Sequence, residues 1–163
     1  MRVAPTFSLV TRRSTSRIAL LVVLATLASS AAATIWTRST SFVPIKIGEV
    51  VPLKNAAYST RDWTVSVRNV EAQQNPSPGP GLVSTTWAFG MANTDAEPHY
   101  VQVTIHYLDA QRRPRVNFTH RFKIDGGQKD DDRRGFEARC TTTQWQGLAN
   151  ARISIDFLST PEG

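Results

Sequence analysis

Tyr100-Val-Gln-Val-Thr-Ile-His-Tyr-Leu108 alternates apolar and polar residues without a break. Val101, Val103, Ile105 and Tyr107 share one face, and Gln102, Thr104 and His106 share the other. A period of two is the mark of a half-buried β-strand. The same alternation recurs on both sides of this stretch. Upstream, Val83, Thr85, Trp87, Phe89 and Met91 fall in phase, and before them Trp63, Val65 and Val67 oppose Thr64, Ser66 and Arg68. Downstream come three further sets: Phe118, His120, Phe122 and Ile124; then Phe136, Ala138 and Cys140; then Ala151, Ile153, Ile155 and Phe157.

Turn chemistry separates these segments. Asn93–Pro98 and Asp109–Pro114 read as turns, and Gly126-Gly127 with the Asp130-Asp131-Asp132-Arg133-Arg134 run reads as a polar connection. Gln73–Gly81, with Pro76, Pro78, Pro80, Gly79 and Gly81, stops any sheet and predicts an exposed loop. Pro44 and Pro52 suit edge positions, because proline lacks the donor a central ladder needs. Gln144–Ala149 reads as one helical turn bridging the ends of the fold. About seven short strands with regular turns predict an all-β fold, an immunoglobulin-like antiparallel β-sandwich. A small closed barrel is the alternative.

The amino terminus has a different character. Arg12, Arg13 and Arg17 precede an uncharged run from Ile18 that ends in Ala31-Ala32-Ala33. A positive region, an apolar region and a small-residue site form the pattern of a secretory signal cut between Ala33 and Thr34. An uncleaved anchor helix is the competing reading, since no charge occurs between Arg17 and Arg38 and a span needs about 20 apolar residues. It would tether the chain to a membrane through residues 18–36. Either way the body lies outside the cytoplasm by the positive-inside rule. The expected organisation is therefore a leader over 1–33, a tether over 34–43, a sandwich over 44–159 and a tail over 160–163.

Charge and cysteine usage narrow the function classes. The chain has 19 Lys+Arg and 13 Asp+Glu, but four arginines fall in the leader, leaving 15 basic against 13 acidic residues. That near balance argues against a nucleic-acid partner, which requires a concentrated basic face. Arg112, Arg113, Arg115, Arg121 and Lys123 read as a solvated turn and edge strand. Cys140 is the one cysteine, so no intramolecular disulfide forms, and its strand phase predicts a buried, inert thiol.

Two segments carry a family resemblance. Ile47-Gly-Glu-Val-Val51 followed by Trp63-Thr-Val-Ser-Val-Arg-Asn-Val70 resembles the opening of telokin-like, immunoglobulin-type domains of bacterial exported proteins. Trp87-Ala-Phe-Gly-Met-Ala-Asn-Thr-Asp95 and Val101–Asp109 resemble their middle, and that of the related FxLYD-type domains. The resemblance spans about residues 45–158 and implies a sandwich fold and an extracytoplasmic place, with no catalytic set.

No catalytic or cofactor motif stands out. His99 and His106 are an odd number apart and point to opposite faces of one strand, while His120 reads as a core or boundary histidine satisfied by a hydrogen bond. A zinc or copper site needs three or four converging ligands, which these histidines and Cys140 do not predict. Asp130, Asp131 and Asp132 beside Arg133 and Arg134 read as a solvated loop rather than a calcium site. Neither a G-x-S-x-G elbow nor an H-E-x-x-H pair is present. No metal, no cofactor and no enzyme activity are expected. Trp63 and Trp87 belong to the predicted core. Trp145, between Gln144 and Gln146, is either a sugar- or peptide-stacking platform, with Tyr100 as a companion contact, or a plug closing the sandwich. The leading expectation is a non-enzymatic module binding a protein or another envelope component; a carbohydrate-binding domain is the alternative.

Overall fold

A computed structural model describes residues 35–76, 78–128 and 132–160. The leader, the Ala33–Thr34 junction, Asp130 and Asp131 lie outside the described residues, as does the side chain of Asp132. The described strands form two antiparallel sheets of an all-β sandwich. The first sheet has the order β1-β9-β6-β7, made of β1 (Ile35–Pro44), β9 (Asn150–Leu158), β6 (His99–Leu108) and β7 (Pro114–Ile124). The second runs β2-β4-β5-β8, made of β2 (Val50–Pro52), β4 (Thr64–Gln74), β5 (Leu82–Asn93) and β8 (Asp132–Thr141), with β3 (Ala57–Ser59) also pairing to β4. Among the described residues no helix is long and apolar enough to cross a membrane.

The alternating positions meet between the sheets. Val101, Val103, Ile105, Tyr107, Ile153, Ile155 and Phe157 from one sheet pack against Val65, Val67, Val83, Trp87, Phe89 and Met91 from the other. The indole Nε1 of Trp87 donates to the Tyr107 hydroxyl at 2.7 Å across the core. Burial pushes the Tyr107 phenol up to about 12, so it stays neutral. Cys140 is buried as expected, and its thiol is shifted upward by desolvation.

Several boundaries differ from the sequence expectation. Residues 35–44 are not a tether: they form β1, paired along β9 from Ile35↔Leu158 to Pro44↔Asn150. Ile35 and Trp36, counted with the apolar leader stretch in the anchor reading, belong to this strand. Its inward side carries Thr37, Ser39 and Ser41, half-buried at a sheet edge, so no apolar alternation announces it. Arg133 and Arg134 extend β8 rather than lying in a loop. A bulge between Val67 and Asn69 shifts the phase of β4 and keeps Val70 and Ala72 inside.

Trp63 is only half-buried, so it belongs to the margin and not to the core. It stacks on His99 with ring centroids 4.2 Å apart, and Trp36 and Tyr58 complete the cluster by stacking on each other at 5.0 Å. Asp95 hydrogen-bonds His99 Nε2 at 2.7 Å, the chief cause of its lowered carboxyl pKa. At the other end, α1 (Thr142–Gln146) is held by a capping box in which Thr141 and Gln144 satisfy each other's backbone donors.

Candidate functional site

The four-stranded sheet turns one side to solvent, and its register arranges that side in rows. Arg38, Asp156, Gln102 and Arg121 form one row across β1, β9, β6 and β7. Thr40, Ser154, Thr104 and Thr119 form the next, and Phe42, Arg152, His106 and Asn117 the one after. Strands lie about 4.8 Å apart and alternate residues about 7 Å apart along a strand, which sets the mesh of this surface. A shallow concavity of about 460 Å³ sits on it, lined chiefly by Arg38, Thr40, Thr104, His106, Arg152 and Ser154.

Charge on this face is uneven. Arg38, Arg121, Lys123 and Arg152 stand on it against one acid, Asp156. Arg38 closes a fork on that acid, with Nε to one carboxylate oxygen and Nη2 to the other at 3.0 Å. Arg121 Nη2 donates to Gln102 Oε1 at 2.8 Å, and Lys123 pairs with Asp125 at 2.9 Å. Arg152 is different. It makes no ion pair among the described residues, and its Nε, like that of Arg121, is cut off from water with no hydrogen-bond partner. A buried donor left in that state costs about 1–3 kcal/mol. Beside it, His106 has its pKa lowered, first by burial and then by the Arg152 charge, so the imidazole is neutral near pH 7.

No protein-family model matches the chain, and no curated protein matches it either. The local chemistry therefore carries the reading. Hydroxyls, an amide and cations in a polar concavity can orient a ligand by hydrogen bonds and charge. Ser154 pairs in register with Thr104 and His106 with Arg152, so hydroxyl and imidazole stand in separate rows.

The residues singled out from sequence are scattered by the fold. Trp145 is half-buried in α1, its ring meeting Tyr107 edge-on at 6.0 Å. Tyr100 is half-buried on the outer side of β6, seven positions before Tyr107 and thus about 23 Å along the strand. The two do not share a site. His99 and His106 do face opposite sides of β6, His99 inward with the core positions. His120, expected as a core or boundary histidine satisfied by a hydrogen bond, is instead exposed and stacks on Phe136 at 5.1 Å where β7 faces β8. Arg113 and Arg115 both reach Asp109, in the turn and edge strand where the basic run was expected. A second concavity of about 450 Å³ beside α1 includes Arg115, whose charge is already committed to Asp109. Among the described residues, no three His, Cys, Asp or Glu side chains gather as a metal site.

Sequence reasoning missed Arg152. Its one signal was a cation at an outward position of the last alternating strand, and the register that sets it beside His106 is invisible in a linear reading.

Proposed function

We propose that this chain is an exported, non-enzymatic, immunoglobulin-like module that binds a component of the cell envelope through the outer face of its four-stranded sheet. Export rests on the leader pattern of residues 1–33. The immunoglobulin-like assignment is supported by the strand order, in which β8 returns to pair with β5 and β9 returns to pair with β6 in the other sheet. The observation that carries the binding role is the concavity itself, where an unpartnered Arg152 stands beside a row of hydroxyls. Trp145 as a stacking platform has weaker support, because its ring is already packed on Tyr107.

Ser154→Tyr places a large, strand-compatible ring at the centre of this face, between Thr40 and Thr104. Immobilised wild-type chain is expected to retain an envelope component that the variant, melting at the same temperature, does not. Equal retention by both would move the contact off this face, and turnover of any substrate by the wild type would overturn the non-enzymatic reading.

A further inference from the structure

The outer-face reading leaves the ligand class open, and three features of the concavity and the face around it bear on it. The first is Arg152, a cation without a carboxylate partner on a face whose single acid is already forked by Arg38. The second is the hydroxyl row of Thr40, Ser154 and Thr104, continued by Thr119, whose hydroxyl lies 3.0 Å from that of Thr104. Each hydroxyl both donates and accepts, as sugar hydroxyls do. The third is Phe42, which pairs with Arg152 in register and is 56% exposed. The Arg112 guanidinium lies 5.7 Å from the centre of its ring and brings a second cation to this end of the groove.

We infer that this groove receives an acidic saccharide, with Arg152 taking the carboxylate, Thr40, Ser154 and Thr104 taking ring hydroxyls, and Phe42 flanking an apolar sugar face. The geometry suits a single ligand unit. The Arg152 row and the hydroxyl row are about 7 Å apart, a separation that one sugar ring with its carboxylate spans. A guanidinium presents its donors in a planar fork that matches a carboxylate, which an ammonium does not. An acidic peptide would also satisfy Arg152, but its backbone gives the row of hydroxyls far less to pair with. This inference rests on the outer face being the binding surface.

Calorimetric titration of the purified full chain with tetragalacturonate, and with its carboxyl-reduced neutral counterpart, tests it. The acidic oligosaccharide is expected to bind at least roughly tenfold more tightly than the neutral one, and Arg152→Gln to lose at least about tenfold. Arg152→Lys, which keeps the charge without the fork, is expected to fall between wild type and Arg152→Gln, and it serves if the glutamine variant misfolds. Equal binding of the neutral sugar, indifference to both Arg152 substitutions, or a tetraglutamate peptide binding as tightly would each overturn the saccharide assignment. If tetragalacturonate does not bind while wild type, and not Ser154→Tyr, still retains an envelope component, the saccharide assignment falls and the binding face stands.

Discussion

Asn93 ends β5 fully buried, and its side chain does the work of several backbone groups. Its Nδ2 donates to the Glu97 carbonyl at 2.8 Å and lies 3.2 Å from that of Asp125, while its Oδ1 accepts from the Asp95 N–H at 2.9 Å. One side chain thus ties the β5–β6 turn to the end of β7. Alanine would strand buried donors and acceptors, each worth about 1–3 kcal/mol. Asn93→Ala is expected to lower the unfolding free energy by about 2–3 kcal/mol in urea denaturation. A loss under about 0.5 kcal/mol would show that the turn is held by other contacts. This residue was legible as a turn former, but not as the tie between two loops, because Asp125 is distant in sequence.

At the scale of the element, the β4 bulge shows how local chemistry sets register. The side chain of Asn69 accepts a hydrogen bond from the Gly90 N–H at 3.1 Å, across the pairing of β4 with β5. A Cβ on Gly90 would stand 2.7 Å from Asn69 Oδ1, so the amide would have to swing aside and give up its hydrogen bond. Gly90→Ala is therefore expected to destabilise by about 1–2 kcal/mol, measured by chemical denaturation. In an Asn69→Ala background the same change should be nearly silent, and full additivity would deny the contact. The strands β6 and β9 were readable in advance because each buries chiefly one face and so alternates, as β4 does up to its bulge. β5 was readable from the in-phase large residues Val83, Trp87, Phe89 and Met91, although much of its other face is covered too. β1 was not, since Thr37, Ser39 and Ser41 fill its inward positions at an edge that the opposite sheet covers only in part. The rows of the candidate site were hidden for a related reason. Outward residues on a wet sheet follow no apolar pattern, so only the register joins Arg152 to His106 and Phe42.

For the whole molecule, the carboxylates decide how stability responds to acid. Asp95, Asp109 and Asp125 sit below the usual 3.8, and Glu71 below 4.5. Each has its own leading cause: the His99 hydrogen bond for Asp95, the Arg113 backbone N–H for Asp109, Lys123 for Asp125 and the Gln73 amide for Glu71. Glu137 is lowered to about 2, first by its hydrogen bond from Arg139 and then by that from Ser84. A carboxyl whose folded pKa lies below its unfolded one adds stability at pH values above the unfolded pKa. That contribution is lost as pH falls through the folded pKa, because the unfolded chain takes up the proton first. His106 acts in a higher window with the same sign. Its folded pKa is lowered from 6.5, so acidification below that value favours the unfolded state, which protonates more readily. The melting temperature should therefore be level between about pH 7 and 8, decline slightly below about 6.5, and fall steeply between about 4.5 and 2. His106→Asn should remove the first decline and leave the second. Calorimetric scans across this range at constant ionic strength measure both steps. A melting temperature that rose on acidification would mean that these groups are not held in their charged, hydrogen-bonded forms by the native fold.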